Sequence, residues 1–400
     1  MAPKQLLIAG GGIGGLATAL AAARTGWGVS LFERAPQFSE VGAGIQLGPN
    51  ATRILQRWGL GGALAEVAAF PEYLQVRNAS SGVVLGVLPL GEQIRARYGA
   101  PYATIHRADI HGLLLTAVQQ QTESQLHLDQ DVLKFNDDGN RLSLSTDHGL
   151  RVEGDALVGA DGVWSRVRQQ LLGDSPPRVT GHLAYRAMLR QSSLPEKLRS
   201  TRVTAWLGPR LHVVQYPVRG GEWMNVVVIV QGTPPESVSG WDQVAHAADL
   251  QRAMGSTCEP LQSLIAAAAE ASVHAHAWRL WPLSDRAPVS GPGQMARGHV
   301  ALLGDAAHPM RPYMAQGAGM AIEDAAVLAN ALAMNAVDVP TRLGRYSLSR
   351  WQRCARVQAR SIRNGQIFHS AGLVRWGRDA SIRLLGQRIL DVPWLYQPAS

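Results

Sequence analysis

The sequence predicts an α/β fold in which a nucleotide-binding unit opens the chain, a β-rich region follows and helices close it. Three observations lead to this prediction: a strand, a glycine turn and a helix at the start, longer β-type segments from about residue 178 to residue 290, and an arginine-rich helical segment near the end. The chain has 400 residues, of which 46% are hydrophobic and 17% charged, so it is able to bury one large core or two joined ones.

The first residues read as a βαβ unit. A strand is predicted at Leu6–Ala9, an alanine-rich helix at Leu16–Arg24 and a second strand at Val29–Phe32. The apolar stretch at Leu6–Ala9 is far shorter than the core of a signal peptide and leads straight into glycines, so we expect a cytoplasmic protein.

A Gly-x-Gly-x-x-Gly motif at Gly10, Gly12 and Gly15 joins the first strand to the helix. Gly10 permits a tight turn, Gly12 lets the backbone approach a pyrophosphate, and Gly15 lets helix and strand pack closely. Glu33 follows the second strand, where a carboxylate binds the free hydroxyls of an adenosine ribose. These residues predict a Rossmann-like dinucleotide site.

Two further Gly-Asp motifs follow buried strands. Asp161 lies in Gly-Ala-Asp-Gly after the strand that begins at Ala156, and Gly304-Asp305 follows the strand that begins at Val300. Gln316 and Gly317 come next, at the start of a long helix expected from about Ala315. A carboxylate at a strand end is able to bind hydroxyl groups of a ligand, and the positive end of a helix stabilises an anionic group.

With these three motifs in this order, the sequence resembles the single-component FAD-dependent aromatic hydroxylases of the p-hydroxybenzoate hydroxylase type. The resemblance implies that Asp305 contacts the ribityl chain of FAD and that Asp161 lies near the pyrophosphate. Arg34 and Arg107 resemble the adenosine-side and pyrophosphate-side arginines of the family, although Arg107 also fits a surface ion pair. NADH or NADPH is then a cosubstrate without a domain of its own, since no second glycine motif is present.

Two other flavin or nucleotide enzymes fit less well. A Rossmann dehydrogenase would leave Asp161 and Asp305 unexplained. Flavin-dependent halogenases share the opening motif, but their Trp-x-Trp-x-Ile-Pro segment is missing, and the segment from Trp278 to Pro282 does not match it.

Residues 41–51, 206–208 and 212–217 resemble the 3-hydroxybenzoate 6-hydroxylase and salicylate hydroxylase branch. This resemblance implies that oxygen passes from a C4a-hydroperoxyflavin to a phenolic acid. His212 is then the candidate base, with Tyr216, Gln316 and Gln46 as substrate contacts, although a structural role for His212 is also open. The lead substrate is 3-hydroxybenzoate, giving gentisate. Salicylate, giving catechol and CO2, a hydroxypyridine carboxylate and a membrane-peripheral FAD protein are the alternatives.

The expected organisation has four parts. Residues 1–177 form the first part of the FAD-binding domain, 178–290 an inserted β-sheet domain for the substrate, 291–335 the return segment and 336–400 a C-terminal helical region. The two cysteines, Cys258 and Cys354, lie far apart without a Cys-x-x-Cys pair, so no metal site and no redox disulfide is expected.

The net charge of +8 is concentrated near the C-terminus, where no acid occurs between Asp338 and Asp379. No helix-turn-helix, zinc or RNA-binding signature accompanies it, so nucleic acid is not an expected partner. One stripe of a helix would carry Arg353, Arg356, Arg360 and Arg363. Such a stripe is either a solvated face, a set of partners for acids elsewhere, or a surface for anionic lipid or for a second subunit of a homo-oligomer.

Overall fold

The computed structural model describes residues 3–38, 43–139, 141–233, 243–270 and 278–397. The chain divides into two compact units. The first comprises residues 1–40, 110–178 and 284–362, and the second comprises residues 41–109, 179–283 and 363–400. The motif residues Val41 and Gly42 lie outside the described residues.

The strands and helices are numbered in chain order. The strands are β1 (Gln5–Ala9), β2 (Gly28–Phe32), β3 (Gly44–Leu47), β4 (Tyr73–Asn78), β5 (Val84–Pro89), β6 (Ala103–His106), β7 (Ser124–His127), β8 (Val132–Asp137), β9 (Leu142–Thr146), β10 (Arg151–Gly154), β11 (Ala156–Gly159), β12 (Arg178–Arg190), β13 (Val203–Gly208), β14 (Leu211–Val218), β15 (Trp223–Gln231), β16 (Gln243–Ala245), β17 (Trp278–Asp285), β18 (Ala296–Arg297) and β19 (Val300–Leu302). The helices are α1 (Ile13–Ala23), α2 (Pro49–Arg57), α3 (Gly61–Val67), α4 (Gly91–Tyr98), α5 (Arg107–Gln119), α6 (Arg166–Leu172), α7 (Ala247–Met254), α8 (Glu259–Glu270), α9 (Gly317–Leu332), α10 (Val339–Phe368), α11 (Gly372–Leu385), α12 (Gln387–Leu390) and α13 (Pro393–Tyr396).

The first unit is built on a largely parallel sheet. Among the described residues its strand order is β18-β19-β11-β1-β2-β7. A separate antiparallel sheet of the same unit has the order β10-β9-β8. β1, β2, β11 and β19 are buried along almost their whole length, as expected for parallel strands covered on both faces. Their carboxyl ends therefore meet at one edge, and this edge carries all three Gly-containing motifs.

The second unit is built on a mostly antiparallel sheet with the order β16-β17-β12-β15-β14-β13-β4-β5 in the described part of the chain. One face of this sheet packs on α7 and α8 through side chains such as Val213, Val226 and Leu264. On the other face, Val76, Leu85 and Leu207 pack against α11 near the β4 and β5 end. The same face also carries the polar side chains of His212, Tyr216 and Asn225, between apolar ones such as Val214 and Val227.

Two features differ from the sequence prediction. Residues 41–109 group with the β-rich unit and not with the opening βαβ unit, because β4 pairs in parallel with β13 and so extends the second sheet. The sequence from about Gln243 to Met254 predicts one helix, whereas Gln243–Ala245 forms a short strand and helix α7 begins only at Ala247. In the described residues, no helix has an apolar stretch long enough to span a membrane.

Candidate active site

The glycine turn after β1 has the backbone geometry that the motif predicted. Gly10 has a φ of +103°, and a Cβ atom there would lie 2.5 Å from the carbonyl oxygen of Ala160. A Cβ on Gly15 would lie 1.9 Å from the carbonyl oxygen of Gly10, so helix α1 packs directly on the turn. A Cβ on Gly12 would meet nothing within 4 Å, which leaves the space that a pyrophosphate needs at a helix start.

The side chain of Glu33 is held beside this turn by two backbone N–H groups. Its carboxylate accepts hydrogen bonds from the backbone N–H of Gly11 at 2.7 Å and of Ala35 at 2.9 Å. Each carboxylate oxygen has further acceptor capacity, so the oriented group is able to bind ribose hydroxyls as well. Arg34 is exposed next to it.

The Gly304-Asp305 motif forms a short 3-10 turn directly after β19. The backbone N–H of Gly304 donates to Asp324 Oδ2 at 3.0 Å, and the guanidinium of Arg168 donates to the carbonyl oxygens of Ala306 and Ala307 at 3.1 and 2.6 Å. The turn is therefore fixed from two sides. Asp305 itself is exposed, so its carboxylate is presented to a ligand at the strand edge.

Asp161 has a structural task that its sequence did not reveal. Its Oδ2 accepts from the backbone N–H of Arg166 and Val167 at 2.8 and 3.1 Å, which caps helix α6. Its Oδ1 is buried without a hydrogen-bond partner among the described residues, and burial raises the pKa of the carboxyl. An acceptor in this position fits a hydroxyl or N–H group of a bound cofactor.

Helix α9 begins at Gly317, slightly later than predicted, because Ala315 adopts a left-handed conformation with a φ of +50°. Gln316 is the N-cap residue and is buried. A Cβ on Gly317 would meet nothing within 4 Å, so the first N–H groups of this long helix border open space. These groups provide the positive helix end that suits an anionic flavin ring.

We expect Asp305→Ala to weaken FAD binding about ten- to a hundredfold, because it removes a charge-assisted hydrogen bond of about 1.5–3 kcal/mol. The measurement is a titration of the apoprotein with FAD. Glu153→Ala, which removes an exposed acid from β10, is the matched control and is expected to bind FAD like the wild type. Equal affinities in all three proteins would exclude the assignment of Asp305.

A buried ion network supports the Gly304-Asp305 turn from behind. Asp324 contacts His308 Nε2 at 2.5 Å and Arg350 Nε at 2.7 Å, and Arg350 also donates to Glu323 at 2.7 Å. Burial alone would raise the pKa of Asp324, but His308 and Arg350 hold it at about 2. Cys354 also lies beside Asp324 and His308. Because Arg350 supplies a positive charge to this group, the network is suited to ion pairing within the protein and not to a metal cation.

The arginine stripe on α10 is divided by the same network. Arg353 makes two hydrogen bonds to Glu323, at 2.6 and 2.7 Å, and is only partly exposed. Arg356 and Arg363 are exposed, whereas Arg360 is half-buried. Part of the stripe therefore pairs with acids of the fold, which is one of the interpretations that the sequence left open.

The second unit carries the other predicted site residues on one face of its sheet. His212, Val214 and Tyr216 alternate along β14 and so share a face. Val214 pairs with Val227 of β15, which in turn pairs with Arg186 of β12. Residues directly opposite each other in a sheet share a face, so Arg186 lies on the same side as His212 and Tyr216. We call this side, defined by Arg186, His212, Tyr216 and Asn225, the polar face.

Tyr216 belongs to a chain of hydrogen bonds on the polar face. Tyr102 donates its hydroxyl proton to Gln46 Oε1 at 2.6 Å, and the Gln46 amide bonds to the oxygen of Tyr216. Burial raises the pKa of both tyrosines, so both hydroxyls stay protonated. Because Gln46 donates to Tyr216, the hydroxyl proton of Tyr216 is directed elsewhere and is able to orient a ligand.

His212 lies in a histidine cluster at the other end of the same strand face. Its Nδ1 is 2.8 Å from Nε2 of His369, and His369 stacks on His182 with ring centroids 5.0 Å apart. Burial lowers the pKa of His212 well below its usual value, and the neighbouring His369 and His182 act in the same direction. His212 and Tyr216 are four residues apart, or about 13 Å along the strand, so their side chains do not contact the same atom of a ligand.

Arg107 begins helix α5, and its backbone N–H donates to the carbonyl of Ala43 at 2.8 Å. Its side chain lies close enough to Arg186 to lower the pKa of that group. The neighbouring Asp109 pairs with Arg219 through two bonds of 2.9 Å. Arg107 is thus brought to the same unit as the polar face.

Sequence reasoning missed several residues of these sites. Arg186 and Asn225 reach the polar face only through strand register, and Tyr102 only through its hydrogen bond to Gln46. His369 is 157 residues from its partner His212. No local motif marks any of them. Only Asp324 could have been identified from the sequence, because Glu-Asp-Ala lies in the predicted helix that follows the Gly-Asp turn.

The residues present fit an FAD group in the first unit, and comparisons with known proteins agree. The FAD binding domain family matches residues 4–361 of the chain. The 3-hydroxybenzoate 6-hydroxylase of Polaromonas naphthalenivorans (strain CJ2) is 40% identical over 398 residues, which cover 99% of this chain and 96% of that protein. The 6-hydroxynicotinate 3-monooxygenase of Bordetella bronchiseptica is 35% identical over 364 residues, with 88% and 89% covered.

A solved structure of a salicylate hydroxylase substrate complex is similar to this chain with a TM-score of 0.81 and 25% sequence identity, covering 99% of this chain and 95% of that one. The predicted α/β fold, the FAD cofactor and the hydroxylase class are thereby confirmed. The chain belongs to the family of FAD-dependent aromatic hydroxylases.

Proposed function

We propose that this protein hydroxylates a phenolic carboxylic acid, with 3-hydroxybenzoate as substrate and gentisate as product. The observation that carries the proposal is the near full-length similarity, at 40% identity, to a protein named 3-hydroxybenzoate 6-hydroxylase. The polar face supports it, because hydroxyl and imidazole groups lie there beside apolar strand residues, as a small aromatic acid requires.

Bound FAD supplies the redox chemistry with NAD(P)H and O2, and the residues of this chain prepare the ring. A phenol with a pKa near 10 is mostly protonated at pH 7, so holding it as phenolate costs about 4 kcal/mol. A neutral imidazole is suited to accept that proton. We propose His212 for this role, supported by its place on the polar face and by its contact with His369. Burial lowers its pKa, so the ring is neutral near pH 7.

The contact with His369 sets which nitrogen of His212 is able to act. If Nδ1 of His212 donates to Nε2 of His369, then Nε2 of His212 is the acceptor that a base needs. After proton uptake, Nδ1 of His212 is still a donor, so the same hydrogen bond keeps the ring in its orientation. His369 is therefore a positioning residue in this proposal, while Tyr216 and Gln46 orient the substrate.

The test is a panel of three acids: 3-hydroxybenzoate, salicylate and 6-hydroxynicotinate. Each is mixed with the FAD-loaded protein, O2 and either NADH or NADPH, and both reductant consumption and products are measured. We expect 3-hydroxybenzoate to stimulate consumption most strongly and to give gentisate. If catechol from salicylate is the dominant product, salicylate and not 3-hydroxybenzoate is the substrate. If none of the three acids stimulates reductant consumption, the proposed class of substrates is wrong.

One observation supports the alternative substrate 6-hydroxynicotinate, namely the 35% identity to a 6-hydroxynicotinate 3-monooxygenase.

A homo-oligomer also stays a prediction. Leu373, Trp376 and Leu384 on α11 are 88%, 77% and 84% exposed and lie on one side of the helix, so they offer an apolar surface to a second subunit. Sedimentation velocity measures whether that association occurs.

A further inference from the structure

Arg186 is a cation on the polar face for which the described residues show no acidic partner. Its guanidinium lies over the ring of Trp281, 3.9 Å from the centroid, and its Nε is buried without a hydrogen-bond partner among the described residues. The tryptophan face holds the guanidinium flat, which leaves its N–H edge for an acceptor. In the described part of the chain, no Asp or Glu contributes to the electrostatics of this group.

Asn225 supplies a second unpartnered donor next to it. Its Oδ1 accepts from the backbone N–H of Gly44 at 2.8 Å, which fixes the orientation of the amide. Its Nδ2 is buried and has no partner among the described residues. Asn225 sits two residues along β15 from Val227, the partner of Arg186, so the two donors are diagonal neighbours about 7–8 Å apart at their backbones.

Tyr216 completes the arrangement on the third strand. It pairs directly with Asn225. A Cβ atom added to Gly44 would lie 2.7 Å from both the Tyr216 ring and the Asn225 Cβ, so these side chains are adjacent. Burial lowers the pKa of Arg186 to about 10, with Arg107 acting in the same direction and Tyr216 in the opposite one. A second cation nearby therefore adds to the positive potential of this part of the face.

Buried donors without acceptors are rare in folded proteins, because leaving them unpaired is costly. Here both orphaned groups are donors, both lie on the same face, and one carries a positive charge. A carboxylate is the matching ligand, since it has two acceptor oxygens, no donor and a negative charge. We infer that Arg186 and Asn225 form the subsite for the carboxylate of the aromatic substrate, an inference that rests on the proposed function for the identity of that substrate.

The test uses benzoate and benzamide as probes of the FAD-loaded protein, with binding followed by the change in flavin absorbance. Benzoate has the carboxylate but no hydroxyl, and benzamide has nearly the same shape without the charge. We expect the wild type to prefer benzoate, and Arg186→Gln to raise the Kd of benzoate about ten- to a hundredfold while changing the Kd of benzamide less than about threefold.

Arg190→Gln is the matched control, because Arg190 lies on the same strand and also stacks on a tryptophan, Trp223, but is exposed. It is expected to bind both probes like the wild type. Asn225→Asp is the second variant. It keeps an acceptor for Gly44 and replaces the donor by an acceptor, so it is also expected to weaken benzoate binding selectively.

Equal weakening of benzoate and benzamide by Arg186→Gln would overturn the inference, as would unchanged benzoate binding in both variants or a wild type that binds neither probe. Failure of the proposed function gives a different result. In that case the Kd of benzoate still differs between wild type and Arg186→Gln, while 3-hydroxybenzoate binds without being hydroxylated.

Discussion

His212→Ala is expected to slow the hydroxylation step by about 10²–10⁴, the usual contribution of a positioned general base. Reduction of FAD by the nicotinamide in the presence of substrate should fall much less, because that step does not need the phenolate. Rapid mixing measures the two half-reactions separately. The variant removes an imidazole whose pKa is lowered by burial and whose Nδ1 is held by His369.

His182→Ala is the matched control for this prediction. It removes a ring that stacks on His369, whereas the 2.8 Å contact between His212 and His369 stays. We expect its hydroxylation rate to stay within about tenfold of wild type, since only the packing of the cluster changes. An unchanged hydroxylation step in His212→Ala would transfer the role of base to another group, with Tyr216 next in line.

Arg350→Met is expected to lower the free energy of unfolding by about 3–5 kcal/mol, the cost of removing one cation from a buried ion network in which His308 and Arg353 remain. Arg350 donates to Glu323 and Asp324 at 2.7 Å each, and all three side chains are buried. Denaturant unfolding of the FAD-loaded protein, followed by circular dichroism, measures the loss. The Gly304-Asp305 turn should also loosen, so FAD retention is expected to fall in parallel.

Arg363→Met on the same helix is the control, because Arg363 is exposed, and a change within about 0.5 kcal/mol is expected. A loss below about 1 kcal/mol in Arg350→Met would show that Asp324 and Glu323 do not carry uncompensated charge in that variant. The network would then have no part in fixing the turn.

The nucleotide-binding edge could be predicted from the sequence because its determinants are local. Gly10 and Gly15 lie within one turn, and the close approach at Gly15 is to the carbonyl oxygen of Gly10, five residues earlier. The close approach at Gly10 is to Ala160 on another strand end, but the motif marks Gly10 all the same. Asp305 was likewise predictable as a strand-end carboxylate. The capping role of Asp161 was not, because a helix start five residues later had to be placed first.

The polar face shows where sequence reasoning stops. His212 and Tyr216 were identified from a single strand, but Arg186 and Asn225 join them through the register of β12, β15 and β14. A shift of one residue in either pairing would put them on the opposite face. The placement of residues 41–109 was missed for the same reason, since the parallel pairing of β4 with β13 leaves no trace in either segment alone.

The central claim is that this chain uses FAD to insert one oxygen atom from O2 into a phenolic acid. Mass spectrometry of the product formed from 3-hydroxybenzoate under heavy-isotope O2 tests it most directly. The account predicts gentisate that carries one heavy oxygen atom, formed in step with nicotinamide oxidation. Nicotinamide oxidation that yields only hydrogen peroxide with every acid of the panel, or a hydroxylated product whose new oxygen comes from water, would contradict it.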